Sequence, residues 1–195
     1  MKRHLLILSL ILVLPGLATA AETYQLDVQQ SQIEWVGKKV TGQHNGIVTL
    51  KSGQVLIDGQ KVTGGDFKID MKSIKVLDLQ DPGANQKLTN HLNSDDFFST
   101  ATHPEGLFKI TSVKDLGANK AEITGDLTLK GITKAVTFPA DLSFQGGTVK
   151  ATGTLKLDRT QWNVRYGSGK FFQGLGDKLI YDEFDLKLNL YAKKS

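Results

Sequence analysis

The chain has 195 residues, with 24 Lys and Arg against 20 Asp and Glu, and no cysteine. This length fits one domain with a sizeable core, and a formal charge of only +4 with both signs interspersed excludes a surface that tracks nucleic-acid phosphates. Disulfides and thiol chemistry are excluded as well, so the fold has to depend on the burial of apolar side chains.

The first twenty residues have the pattern of a removable secretory signal. Lys2 and Arg3 precede an almost wholly apolar run at 5–14, and small residues at Ala18 and Ala20 allow cleavage after Ala20. The apolar run is too short for the roughly 20 residues of a spanning helix, and no cysteine follows it for lipid attachment. We therefore expect a cleaved leader at 1–20 and a single exported domain at 21–195, located in the periplasm.

Alternation of apolar and polar residues predicts strands with one dry and one wet face over most of the mature chain. The alternation is clearest from Ala121 to Leu190. Long half-buried strands favour a closed antiparallel barrel or a sandwich. Ten strands are predicted, at 23–28, 32–40, 43–51, 55–57, 63–71, 106–113, 120–130, 135–144, 148–158 and 178–191, with turns at Asp58-Gly59, Gly64-Gly65, Gly131 and Gly146-Gly147.

Two segments interrupt this pattern. In 77–103, residues 85–93 are expected to form a short helix, with Leu88, His91 and Leu92 on one face. In 160–177, aromatic residues alternate with glycines, which is typical either of a flap at a mouth or of a loop packed over a barrel end.

The sequence holds little that is typical of polar chemistry. His44, His91 and His103 are far apart and lack paired metal-ligand spacing, and no serine elbow is present. The adjacent carboxylates Asp95-Asp96 and Asp182-Glu183 are poorly placed to act as acid and base pairs. We therefore predict neither a metal site nor catalytic residues. The dry face mixes bulky and small residues, which leaves open a ligand cavity or an interdigitated core.

An ordered set of motifs resembles the YceI-like family of periplasmic, lipocalin-like proteins that bind polyisoprenoid lipids. The matching stretches are IEWVGKK at 33–39, TGQHNG at 41–46, GGDFKIDMKSI at 64–74, HLNSDDFF at 91–98, GDLTLKGITK at 125–134, VTFP at 136–139 and DRTQW at 158–162. One departure is Trp162-Asn163, where many members have Phe-Gly, so the pocket near this point is expected to differ in shape.

The resemblance implies an all-β, antiparallel lipocalin-like barrel of about eight or more strands around an elongated apolar pocket. It implies a bound polyisoprenoid or isoprenoid quinone, no other cofactor and no catalysis. Four residues are candidates by type for a polar mouth: His44, Asn90, His91 and Arg159, with the alternative that Arg159 pairs with Asp158 or another carboxylate. The expected apolar lining is Trp35, Phe67, Ile69, Leu92, Phe97, Phe98, Phe108, Leu127, Leu129, Phe138, Leu155, Leu157, Trp162, Phe171 and Phe172.

Three functional hypotheses follow. The first is a carrier that shields an amphiphilic lipid inside the barrel. The second is a stress-response or interaction module with a filled core, which would use the barrel exterior and the 160–177 loop. The third and weakest is an enzyme acting on a small hydrophobic substrate. A hydrophobic lipid is the expected partner and nucleic acid is not, whereas transient membrane contact and a homodimer stay open.

Overall fold

The structure is a computed structural model that describes residues 20–195, so the predicted leader lies outside the described residues except for Ala20. Helix α1 (Pro82–Asn93) follows the fourth strand, and two 3-10 turns, Arg159–Trp162 and Gly176–Lys178, lie between the last two strands. The nine strands are β1 (Glu22–Leu26), β2 (Gln32–Lys39), β3 (Gly42–Asp58), β4 (Lys61–Val76), β5 (Glu105–Gly117), β6 (Lys120–Leu129), β7 (Ile132–Gln145), β8 (Thr148–Asp158) and β9 (Ile180–Lys194).

No helix among residues 20–195 combines the length and the apolar character needed to cross a membrane.

Eight of the strands close into an antiparallel barrel in the order β2-β9-β8-β7-β6-β5-β4-β3, with β3 returning to β2. The extra strand, β1, continues the line of β2 between β3 and β9. Tyr24 of β1 pairs with Val55 of β3 on one side and with Lys194 of β9 on the other. Ile33 of β2 likewise pairs with β3 on one side and β9 on the other. The prediction of an antiparallel barrel is confirmed.

The strand boundaries differ from the prediction in the β3–β4 hairpin. The segments predicted at 43–51 and 55–57 are one strand, β3, because register shifts absorb the irregular residues without ending the pairing. The predicted turn at Gly64-Gly65 is wrong, since both glycines lie inside β4. A Cβ at Gly65 would approach the carbonyl oxygen of Gln54 to 2.7 Å, so glycine is needed there for close contact between the strands.

Helix α1 lies against one end of the barrel. It begins three residues before the predicted segment because the Asp81 carboxylate accepts a hydrogen bond from the Ala84 N–H at 2.7 Å and Pro82 occupies the first turn. Its apolar face, including buried Leu92, joins the same core cluster as Met71 and Ile74 of β4. The helix therefore covers one barrel end.

The alternation of inward-facing and outward-facing side chains is clearest on β6 and β7. Ile123 and Leu127 of β6 and Phe138 and Ala140 of β7 are all buried. The hairpin between the two strands turns at Lys130 and Gly131, whose φ angles of 49° and 72° fit a two-residue turn. The alternation thus places a continuous apolar surface inside the barrel.

Candidate functional site

The barrel interior contains two apolar cavities. The inner chamber, in the half of the barrel away from α1, has a volume of about 120 Å³. The outer chamber, which is lined in part by Leu92 of α1, has a volume of about 130 Å³. Four side chains line both cavities and form a waist between them: Ile33, Ile69, Leu127 and Leu186. The two chambers therefore follow one another along the barrel.

Eleven of the fifteen predicted apolar residues line a chamber. Leu157 and Trp162 are instead buried in the core, and the indole N–H of Trp162 donates to the carbonyl oxygen of Leu127 at 3.1 Å. Phe171 and Phe172 lie on the surface and are 44% and 49% exposed, so they line neither chamber. The eleven are Trp35, Phe67, Ile69, Leu92, Phe97, Phe98, Phe108, Leu127, Leu129, Phe138 and Leu155.

Three of the four polar candidates do not line a chamber. The Nδ1 atom of His44 is 2.8 Å from Asp78, and Asn90 accepts a hydrogen bond from the Gln86 amide at 2.7 Å.

His91, the third of these residues, lies in an aromatic cluster. Its ring meets those of Phe97 and Tyr166 edge to face at 4.8 and 4.5 Å, and its Nε2 lies 3.3 Å from Asp96. His91 therefore connects α1 to the long loop between β8 and β9.

Arg159 does line the outer chamber, but its donors are engaged by the protein itself. Nε donates to the carbonyl oxygen of Tyr181 at 3.1 Å, Nη1 to that of Val164 at 3.0 Å, and Nη2 to that of Ile180 at 3.0 Å. Asp182 lies 3.5 Å from Nη2, so the predicted carboxylate partner is Asp182 rather than Asp158. Burial lowers the pKa of the Arg159 guanidinium, while both carboxylates act to raise it. Arg159 is therefore a fixed structural cation.

The Arg159 contacts hold an irregular stretch of β9 beside the outer chamber. Gly37 pairs with Phe184, but Lys39 pairs with Ile180, so three residues of β9 stand opposite Lys38 alone. Within this stretch Tyr181 lines the outer chamber and is also 50% exposed. We call this place, between Gly37 and Tyr181, the mouth.

Most inward glycines are covered by an aromatic ring, but Gly37 is not. At four glycines an added Cβ would collide with a neighbouring ring or backbone carbonyl, so the small residue there allows interdigitation. A Cβ at Gly37 would meet no atom within 4 Å, and Gly37 lines the outer chamber. The covered pairs are Gly46 with Trp35, Gly53 with Phe67, Gly125 with Phe108 and Gly153 with Phe138.

The lining includes many residues that sequence reasoning did not assign to the site, and two groups of them are informative. The first is the inward set on β9, Phe184, Leu186, Leu188 and Leu190, which the alternation had placed on the dry face without assigning it to the site. The second is Gly37, for which the sequence carries no signal because nothing local shows whether another strand covers it.

The arrangement offers extensive apolar contact and very few polar groups. Among residues 20–195, no three His, Asp or Glu side chains are gathered to hold a metal ion. The Trp35 indole N–H, beside the outer chamber, is buried without a hydrogen-bond partner in the described part of the chain. The interior is thus suited to contact with hydrocarbon.

Comparisons with known proteins agree on one family. The YceI-like domain family matches residues 24–192. A UPF0312 protein of Shewanella denitrificans is 34% identical over 155 residues, which make up 75% of this chain and 76% of that protein. The crystal structure of BcnA from Burkholderia cenocepacia has a TM-score of 0.70 and 27% identity, and the match covers 86% of this chain and 99% of that one. A polyisoprenoid binding domain from Saccharophagus degradans has a TM-score of 0.66 and 16% identity, and the match covers 88% of this chain and 98% of that one.

Proposed function

The chain belongs to the YceI-like family, and on that premise we propose that its barrel binds and shields one amphiphilic lipid, a polyisoprenoid or an isoprenoid quinone, without catalysing a reaction on it. The observation that carries this proposal is the pair of apolar chambers that meet at a waist inside the barrel. A flexible hydrocarbon chain fits such a divided tube better than a rigid ring system does.

The energetics favour hydrocarbon as the buried part of the ligand. Burial of each CH₂ group contributes about 0.8 kcal/mol, so a chain that buries ten carbons gains roughly 8 kcal/mol before the cost of ordering it. Binding of this kind needs no polar recognition inside the barrel. Free hydrocarbon of this length is insoluble in water, so a lipid that crosses an aqueous space has to be shielded by a protein.

The charges around the outer chamber favour a ligand whose buried part is neutral. Arg159 is the one charged residue that lines either chamber among the described residues, and each of its three nitrogens already donates to a backbone carbonyl. A buried diphosphate would lack a free cation to pair with, and an unpaired buried charge is strongly unfavourable. A neutral quinone or prenol avoids this cost.

We also propose that the protein works after export, in the periplasm of a bacterium. Support comes from the leader pattern at 1–20, which the sequence carries ahead of the domain. An aqueous compartment between two membranes is a place where a lipid needs a protein to shield it.

The test is extraction of the protein purified gently from its native host, followed by mass spectrometry. We expect close to one polyisoprenoid or isoprenoid quinone per chain. The delipidated protein should then bind a neutral isoprenoid quinone at least about tenfold more tightly than a prenyl diphosphate of the same chain length. An empty extract together with no saturable binding of either compound would contradict the proposal.

A further inference from the structure

Exposed large apolar side chains are concentrated at one end of the barrel. Of the eight among the described residues, Leu116 lies on the β5–β6 hairpin at the far end and Leu107 lies on the side wall. The other six surround the end that α1 covers: Val40, Leu77, Tyr166, Phe171, Phe172 and Tyr181. Single exposed apolar residues are ordinary on a monomer, but a cluster at one end indicates a contact surface.

The aromatic residues Tyr166, Phe171 and Phe172 of this cluster belong to residues 163–179, which we call the aromatic loop. The base of this loop is buried and hydrogen-bonded. Val164 and Ser168 at its base are 1% and 0% exposed. The backbone N–H groups of Phe171 and Phe172 both donate to the carbonyl oxygen of Ser168, at 3.1 and 3.0 Å. The hydrogen-bonded conformation of the loop therefore holds both phenylalanine side chains on the surface.

One cation contacts an exposed ring, and two more lie at the base of the aromatic loop. The Arg165 guanidinium lies 4.5 Å from the centre of the Phe171 ring, and Lys39 stands opposite Ile180 at the base of the aromatic loop. Lys39, Arg165 and Lys178 form no ion pair with any described carboxylate, and Asp177 is the one acidic residue in the loop. Aromatic and basic side chains side by side are typical of proteins that bind the interface of an anionic bilayer.

The cluster is also continuous with the mouth, because Tyr181 belongs to both. We propose that this end of the barrel docks transiently on an anionic lipid bilayer through Phe171 and Phe172, so that lipid passes between bilayer and chamber without crossing water. The identity of the cargo rests on the proposed function, whereas the docking itself does not.

The first test is flotation of the full chain with vesicles. We expect the protein to float with phosphatidylcholine vesicles that contain about one third phosphatidylglycerol, and to float less as salt is raised, because exposed charges are screened. The double variant Phe171→Ser, Phe172→Ser should lower partitioning at least about tenfold. Leu116→Ser, an equally exposed residue at the opposite end, is the matched control and should leave partitioning unchanged.

The second test separates docking from cargo binding. Loading from detergent-solubilised isoprenoid quinone should be the same for the double variant and the unmodified protein, while transfer of quinone from vesicles should be several-fold slower in the variant. Failure of the unmodified protein to float with the anionic vesicles, or equal flotation of the double variant with an unchanged melting temperature, would overturn the docking proposal. Failure of detergent loading in the unmodified protein would instead count against the proposed function and leave the flotation result standing.

Discussion

Replacement of Gly37 by leucine should block ligand binding without harming the fold. Gly37 lies on β2 beside the mouth, faces the outer chamber, and has open space where a Cβ would be. Its φ is not positive, so a side chain can be added without backbone strain. Since glycine in a strand is destabilising by roughly 0.5–1 kcal/mol relative to alanine, we expect the free energy of unfolding to stay the same or to rise.

The loss of affinity can be estimated from the carbon atoms that the new side chain places in the chamber. A leucine side chain adds four carbons, and displacement of a similar number of ligand carbons costs about 3 kcal/mol, or roughly a 150-fold rise in Kd. Alanine adds one carbon and should raise Kd about fourfold. A graded series of alanine, valine and leucine therefore distinguishes loss of space from a general disturbance of the barrel.

The measurement is titration of the delipidated protein with an isoprenoid quinone, followed by quenching of tryptophan fluorescence, since Trp35 lines the outer chamber. Urea unfolding of each variant reports the stability. Val36→Leu is the control, because Val36 is the neighbour of Gly37 on β2 and faces the outer surface with Glu34 and Lys187. If folded Gly37→Leu bound quinone with unchanged affinity, the outer chamber would not be the site.

Three further predictions concern stability. Hydrogen bonding with Lys193 and then Gln30 lowers the pKa of Asp27 from 3.8 to about 2, so its ionised form stabilises the fold above pH 3.8, and this contribution is lost as the pH falls through about 2. Asp27→Asn should therefore reduce stability more at pH 7 than at pH 2, as measured by thermal melting at both values. Arg159→Lys should lower the free energy of unfolding, measured with urea, by about 3 kcal/mol, because a single ammonium nitrogen cannot reach three carbonyls that three separate guanidinium nitrogens serve. An unchanged midpoint would refute this structural role. His91→Ala should cost about 1 kcal/mol and speed hydrogen exchange in the aromatic loop, since it removes the contact with Tyr166, while exchange in β6 should not change.

The fold could be predicted because its signal is local. Alternation along a single strand, as in Ile123 and Leu127 of β6 or Phe138 and Ala140 of β7, fixes which face is buried, and strands with one dry face close into a barrel. The boundaries inside β3 and β4 could not be predicted, because a bulge and a turn both use glycine. Which of the two forms depends on the partner strand, which is distant in sequence.

The candidate site was less predictable because its decisive features depend on contacts between distant residues. Gly37 and Gly46 are the same residue type on neighbouring strands, yet the Trp35 ring covers Gly46 and leaves Gly37 open. Phe171 is as apolar as Phe138, but anchoring of the aromatic loop at Ser168 places it outside. Composition identifies apolar residues, whereas only the packing decides which of them face a cavity, the core or solvent.

The same inward side chains serve both the fold and the chambers. On β6 and β7, Ile123 and Phe138 are buried and also line the inner chamber. On β9, the chamber-lining residues Leu186 and Leu188 are only partly buried although they face the interior. Gly37 lies on β2, which pairs with β9, and has open space where a Cβ would be. Because a wall packed to full density has no space to offer a ligand, we expect a lipid to enter on the less tightly packed β2–β9 side, with β6 and β7 forming the opposite wall of the inner chamber.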